Sequence, residues 1–318
     1  MTLDEQQVFI YKPTESSQIN NEQSSLTFVT WNVGMLLIKR MSYVIVEPAP
    51  HKHMRLHYLP DALNKCPANI VALQELFDPH DVAYVIHKTR ERYPYYSVAE
   101  YKSSASHLNP GLVVLSDKPI IHSKFHPFKI VPPDEAFFVR KGILHCTIDG
   151  GDFGTLQVVN THNTSGGMLW SPHNWLMHQV RKMQYRQTFK FLENFKNSSR
   201  ILMGDFNSSP EASRQSYCEL KRPGFFDAWQ LHHGHEPEKR KPTWDVKNLL
   251  NVDGPHSNDV SESMDGFHID QNLLSHANIQ HLDIVFTDPV VRGPNDQRLT
   301  ISDHYGVEMR LGKKSLDI

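Results

Sequence analysis

Several apolar runs in this chain stop on groups that can do chemistry. "ILM" stops at "GDFN" (residues 204–207), "TLQVV" at "NTH" (160–162) and "LTI" at "SDH" (302–304). In an extended chain residues i and i+2 share a face, so Asp205 and Asn207 could present side-chain oxygens together. A hard cation such as Mg²⁺ takes oxygen ligands of this kind. The same stretch, followed by "SSP", also reads as an ordinary turn. Its neighbours in kind decide between the two. "TWNVG" ends on Asn32, "LQE" on Glu75, "LDIVF" holds Asp283, and "SDH" supplies Asp303 and His304. Taken singly, each has a plain explanation: a turn cap, a solvated strand end, a packed core histidine.

Together they make a parts list for cleaving a phosphate ester. Glu75 and Asn32 offer a hard cation its oxygens, and such a cation neutralises phosphoryl oxygens and helps generate hydroxide from water. His304 could take the proton from that water if a carboxylate fixes its tautomer, and Asp283 is the expected orienter. His162 could donate to the phosphate oxygen on which charge accumulates. No cysteine or serine nucleophile is required, and neither "GxSxG" nor "HExxH" is present.

The elements that must position these groups are mostly strands. "SLTFVTWNV", "NIVALQE", "GLVVLS", "GILHCTID", "TLQVVNTH", "RILMGDFN", "IQHLDIVFT" and "LTISDHYGVEMRL" are strand patterns with Gly, Pro and Asp clusters between them. Helices are expected around "LHYLPDALNK", over "DPHDVAYVIHKTRERY" with its N-terminal Asp cap, and over 176–196, where Val180, Met183, Phe191 and Phe195 recur at near-helical intervals. From about 208 to 280 the pattern loosens, and "VDGPHSNDVSESMDG" reads as an exposed loop. "HHGH" (232–235) reads as a solvated loop with metal-binding potential. Strands outnumber helices, and polar groups recur where apolar strands end. The expectation is an α/β fold of two packed, mainly antiparallel sheets with outer helices and a site built on strand ends. Residues 1–25 read as a flexible lead-in, 26–312 as one catalytic domain and 313–318 as a tail.

Bulk properties narrow the partners. The chain has 318 residues, a net charge of −2 and 39% hydrophobic residues. That is a poor match to a protein that grips long nucleic acid mainly by charge. Three widely spaced cysteines (Cys66, Cys146, Cys218) fit isolated thiols better than a disulfide framework. The first 25 residues lack the basic and apolar regions of a secretory signal, and no apolar run reaches the ~20 residues of a membrane span. The expectation is a soluble protein, cytoplasmic or peripheral to a membrane, with export by another route left open.

In this order "WN", "QE", "NTH", "GDFN", "LD" and "SDH" resemble the endonuclease/exonuclease/phosphatase superfamily, whose fold is like that of pancreatic deoxyribonuclease. The resemblance covers roughly residues 26–312 and implies a four-layer α/β/β/α sandwich. It implies that Asn32, Glu75 and Asp303 serve a Mg²⁺ site, with Mn²⁺ or a second metal as variants. It also implies that Asp205 and Asn207 handle the nucleophile or a second metal, and that Asp303 and His304 form the terminal catalytic dipeptide. "GLVVLSDKPI", "KGILH", "NTHNT", "GFFDAW" and "PTWDVKN" look most like the neutral sphingomyelinase branch. On that branch Lys141 would meet the substrate phosphate; a surface lysine at a strand start is the other reading. The substrate would be a phospholipid at a membrane surface, with a nuclease, a messenger-RNA deadenylase or an idle binding module as alternatives. No protein partner can be read from the chain. Met168, Leu169 and Trp170, directly after the His162 strand, suit a lipid interface, whereas Trp175 is expected in the core.

Overall fold

In the computed structural model, residues 25–314 are described except for 41–42, 101–107, 167–169, 235–239, 253 and 255–256. The expected lead-in and tail therefore fall almost wholly outside the described residues, which begin with strand Ser25–Asn32 and end just after strand Gly306–Lys313.

Two six-stranded sheets form the centre. The first runs Ala277–Val285, Gly306–Lys313, Ser25–Asn32, Ile70–Gln74, Val113–Ser116, Tyr95–Val98 in spatial order. The second runs Phe225–Asp227, Asp265–Asp270, Ser199–Asp205, Thr155–His162, Gly142–Asp149, Ile120–Pro127. Each sheet has one parallel pair among antiparallel neighbours: Ser25–Asn32 beside Ile70–Gln74, and Thr155–His162 beside Ser199–Asp205. A parallel pair needs a crossover, and helices Lys52–Lys65 and Trp175–Leu192 lie on those two connections. A parallel pair also brings two C-terminal strand ends to one edge. That is how Asn32 and Glu75, and His162 and Asp205, come to be neighbours.

The core divides into three, as four layers require. Phe28, Ile70, Leu144, Val158, Met203 and Met309 pack between the sheets. Leu56, Leu59, Leu63 and Val85 from two helices cover Val29, Trp31 and Val71 on the outside of the first sheet. Tyr185, Phe189 and Leu192 cover Ile143, Val159 and Leu202 outside the second. The α/β/β/α sandwich is the expected architecture.

Local chemistry accounts for the helix limits and for one mismatch. Asp78 caps helix Pro79–Thr89 by accepting from the His80 N–H at 2.8 Å, with Pro79 in the first helical position. Helix Trp175–Leu192 buries Met177, Val180, Arg181, Gln184, Tyr185, Thr188, Phe189 and Leu192. Of the expected stripe, Val180 is buried, Met183 faces solvent and Phe195 sits in a following 3-10 turn. Polar members hide the true stripe: buried Gln184 donates to the Ile130 carbonyl at 3.0 Å and accepts from the Thr164 N–H at 3.0 Å. Strand Asp265–Asp270 lies inside the stretch expected to be loose, yet all six of its residues are buried. Among the described residues no helix is long and apolar enough to cross a membrane.

Candidate active site

The inward faces of the central strands change from apolar to polar at one common end. Phe28 and Thr30 lead to Asn32, Val158 and Asn160 lead to His162, and Ile201 and Met203 lead to Asp205; Ile269 and Phe267 run the other way to Asp265. Asp205 stands in register with His162 on one side and Asp265 on the other. Below them, Asn160 pins the sheets together by accepting from Gln74 Nε2 at 2.7 Å and donating to the Leu73 and Val113 carbonyls at 2.9 and 3.0 Å. The floor is thus fixed from beneath.

Two glycines make the close approaches possible. Gly204 has φ +146°, and a Cβ there would lie 2.0 Å from the Thr161 carbonyl oxygen. Gly34 has φ +56°, and a Cβ there would lie 2.1 Å from Asp303 Oδ1. Glu75 and Asn207 also adopt left-handed backbone, at φ 60° and 49°. Non-glycine residues in that region mark positions held by their surroundings.

Within the floor, Asn32 Nδ2 donates to Asp205 Oδ2 at 2.9 Å and to Glu75 Oε1 at 3.2 Å, while its oxygen accepts from the Gly34 N–H at 3.0 Å. Asn32 therefore bridges two carboxylates through its nitrogen. Asp205 Oδ1 accepts from the Asn207 N–H at 2.7 Å, and Asn207 Nδ2 donates to the Asn163 carbonyl at 2.9 Å. "GDFN" is a turn and part of the floor at once. Lys141 is buried, not a surface lysine: its Nζ lies 3.1 Å from His162 Nε2, donates to the Asn163 carbonyl at 2.8 Å and stands 3.6 Å from Glu135 Oε1.

The carboxylates are under-compensated. Burial, then the Asp265 carboxylate, push Asp205 up to about 7 against the help of His304, Asn32 and the Asn207 N–H. Burial, then Asp303, also push Glu75 up. Burial, Lys141 and His304 hold His162 well below the ordinary imidazole range, so it is neutral. Burial pulls His304 down too, but Asp265, Asp303 and Asp205 outweigh it and raise it to about 10.

One expected pairing is corrected. His304 Nδ1 is 2.8 Å from Asp265 Oδ2, whereas Asp283 lies on the sheet-edge strand Ala277–Val285, where Lys241 Nζ donates to it at 2.7 Å. Asp265 is the carboxylate paired with His304, and Asp283 belongs to a half-exposed surface pair. Period-two alternation of Asp265, Phe267 and Ile269 was the available signal, masked by the Gly, Ser and Asp before it. Trp175 is also displaced from expectation: it is 66% exposed at the start of its helix, where Asn174 caps the Leu176 N–H at 2.8 Å. Met168 and Leu169 lie outside the described residues, and Trp170 is half-exposed at the cleft. His233 of "HHGH" lies 2.8 Å (Nε2) from the Leu282 carbonyl at the end of helix Ala228–His233, and His235 lies outside the described residues.

Above the floor is a cleft of about 680 Å³, lined by Glu75, Lys141, His162, Asp205, Asn207, Asp303 and His304. Ligand atoms of Asp205, Asp265 and His304 lie within 4.8 Å of one another, close enough to hold a metal ion. Residues 29–237 match the model of the endonuclease/exonuclease/phosphatase family.

The chain belongs to that family.

Its members are metal-dependent phosphodiester hydrolases, and this chain is an enzyme of that class. Among solved structures it is similar to sphingomyelinase C from Streptomyces griseocarneus, at 20% identity and TM-score 0.68, over 91% of this chain and 99% of that one. It is similar to beta toxin from Staphylococcus aureus with bound magnesium ions, at 18% identity and TM-score 0.69, over 91% and 100%. A D. rerio TDP2 complexed with single-strand DNA product follows at 18% identity and TM-score 0.66, over 91% and 100%. At such identities the likeness speaks for the fold alone. No curated protein matches the chain by sequence.

Proposed function

We propose that this enzyme uses Mg²⁺ to hydrolyse the phosphodiester between a lipid and its headgroup, releasing ceramide and phosphocholine from sphingomyelin. The supporting observation is the cleft itself. Its lining combines Leu36, Ile38, Ile45, Val46, Phe77 and Phe138 with the polar groups of the floor. A headgroup ester with an acyl chain beside it has that distribution of polarity. A net charge of −2 and these apolar lining residues give a polyanion little to hold. The nuclease reading draws its support from the likeness to TDP2.

The donor set fits a hard divalent cation. Glu75 and Asp303 line the cleft, the Glu75 carboxyl is pushed up by Asp303, and Asp265 Oδ1 is buried with no hydrogen-bond partner among the described residues. Glu75 and Asp303 would hold the ion, with Asn32 beside them bonded to Glu75. When bound, such an ion neutralises phosphoryl oxygens and acidifies a water.

The chain's own residues supply the rest. Asp265 fixes the Nδ1–H tautomer of His304, which leaves Nε2 to accept a proton from the attacking water. That role requires a neutral ring, and added positive charge among Asp205, Asp265 and Asp303 favours one. Lys141, anchored on the Asn163 carbonyl, brings positive charge beside His162 for the phosphate, and the Asn207 amide is fixed next to both. The direct test is purified protein with Mg²⁺ assayed in parallel on sphingomyelin, lysophospholipid, single-stranded RNA and nicked DNA. Phosphocholine release from sphingomyelin, abolished by chelator, is the expected result. Cleavage of nucleic acid alone would replace this reading with the nuclease.

A further inference from the structure

Three segments meet at the side of the cleft in a way the family reading does not use. Trp244 forms an antiparallel bridge to Glu262 on one side and to His304 on the other. The Glu262 bridge is closed by reciprocal bonds, Trp244 N to Glu262 O and Glu262 N to Trp244 O, both 2.9 Å. On the other side Tyr305 N donates to Thr243 O at 2.7 Å. Residues directly opposite across antiparallel strands send their side chains to the same face. Imidazole, indole and carboxylate therefore stand in a row, and all three line the cleft.

The carboxylate at the end of this row is unusual. Glu262 is 3% exposed, and one oxygen accepts from Ser209 Oγ at 2.6 Å and Ser213 Oγ at 3.2 Å. Its other oxygen lies 3.4 Å from His173 Nε2, and no Lys or Arg among the described residues forms a salt bridge with it. Two serine hydroxyls orient it without neutralising it. A carboxylate beside an aromatic face is the chemistry that recognises an ammonium group, above all a quaternary one that cannot donate hydrogen bonds. Trp170, on the same cleft, offers a second indole. Lys141 and His162, on the floor of the same cleft, provide the anion's partner. The cleft thus holds a place for phosphate as well as a place for positive charge.

We infer that Trp244 and Glu262 form a subsite for the quaternary ammonium of a phosphocholine ester, set one residue row away from the catalytic imidazole. The inference rests on the phosphodiesterase reading for its substrate, but the subsite can be tested without turnover. Titration of the purified protein with tetramethylammonium and with phosphocholine, followed by calorimetry and by tryptophan fluorescence, should show saturable binding. Glu262→Gln and Trp244→Phe should each weaken it by about tenfold, the scale of a desolvated cation–π contact with its counter-charge. Both variants are conservative, and circular dichroism should confirm that they fold. In the kinetic arm, p-nitrophenyl phosphocholine is compared with p-nitrophenyl ethyl phosphate. Wild-type protein should prefer the cationic ester, and Glu262→Gln should collapse the ratio of the two kcat/KM values by about tenfold. Glycerophosphocholine and sphingomyelin micelles then separate a soluble source of the headgroup from a lipid one. Absence of ammonium binding to the folded wild type, or an unchanged ratio in Glu262→Gln, overturns the subsite. Ammonium binding without cleavage of any diester leaves the subsite standing and removes the proposed reaction.

Discussion

Asp205 and Asp227 end two strands of the same sheet, both are buried, and they are shifted in opposite directions. Burial pushes Asp227 up, but Arg240, His268 and the Tyr217 hydroxyl outweigh it and hold it at about 2. Its oxygens take Arg240 Nη1 at 2.6 Å, the Tyr217 hydroxyl, and the Trp229 N–H at 2.8 Å, which caps helix Ala228–His233. Asp205 takes only neutral donors, Asn32 and Asn207, and faces Asp265, so burial and repulsion carry it to about 7. One carboxylate is finished by the protein. The other is left unfinished where a substrate-assisting cation would complete it, the usual trade of stability for function.

That contrast is most exposed to a pair of substitutions, one at Asp205 and one at the partner of Asp227. Asp205→Asn should lower turnover by roughly 10²–10⁴-fold, the range for groups that act on the reacting centre. Its melting temperature should hold or rise, because an uncompensated buried carboxylate is removed. Steady-state kinetics beside thermal unfolding decides the matter; a variant that is active but unstable would reverse the roles assigned to the two residues.

Arg240→Met makes the opposite cut. Removing one partner of a buried pair leaves the Asp227 charge without its neutraliser and should cost about 3–5 kcal/mol of unfolding free energy. The fraction that remains folded should turn over substrate normally, since Arg240 and Asp227 do not line the cleft. Chemical denaturation measures the first quantity and active-site-normalised kinetics the second. Loss of activity without loss of stability would place this network in the site.

The pH dependence sharpens the same comparison. Below about 7 the Asp205 carboxyl is largely protonated, and an ion held by Glu75, which Asn32 bridges to Asp205, favours loss of that proton, so Mg²⁺ affinity should climb by about fivefold from pH 6 to 7 and level off above. For stability the signs differ. Asp205, raised in the folded state, destabilises the metal-free protein increasingly as pH climbs from 3.8 to about 7. Asp227, depressed, contributes stability that is present above 3.8 and lost as pH falls through about 2. Calorimetric titration with Mg²⁺ in two buffers of different protonation enthalpy should report more proton release from wild type than from Asp205→Asn at pH 6, and equal release from the two at pH 8, where His304 rather than Asp205 still holds a proton to lose. Equal release from the two proteins at pH 6 would detach Asp205 from the ion.

How much of this was legible beforehand follows from what each residue's environment writes into the local sequence. Strand ends such as "TWN", "LQE" and "GDFN" are readable because burial on one face forces an apolar run and the site interrupts it. The two-sheet sandwich follows from the same runs. Asp265 was not readable as a site residue: its strand pairs with Ser199–Asp205, and the loop-like residues before it conceal where pairing begins. Asp283 looked equivalent because it too sits among apolar residues, but its strand is at the sheet edge, where one face meets solvent. Lys141 could not be placed without knowing that Glu135, from the short helix Pro133–Phe138 just before it, and Asn163, from beyond the next two strands, would close around it. Long-range polar contacts of this kind leave no periodic trace.

The smallest effect expected is also the one that bears on the corrected pairing. Asp283 and Lys241 form an exposed ion pair, with side chains 37% and 59% accessible. Pairs of that kind contribute about 0–1 kcal/mol, so Asp283→Asn should shift stability within that range. It should leave kcat/KM within about twofold of wild type, a change of under half a kcal/mol. Asp265→Asn serves as the internal reference, because it withdraws the carboxylate that holds the His304 tautomer and should move the acid limb of the pH–rate profile as well as the rate. The two profiles, measured on one substrate at saturating Mg²⁺, separate an orienting carboxylate from a surface one. If Asp283→Asn displaced the acid limb as far as Asp265→Asn, the strand-end relay would have to include the sheet edge, and the division between finished and unfinished carboxylates would no longer follow their positions in the sandwich.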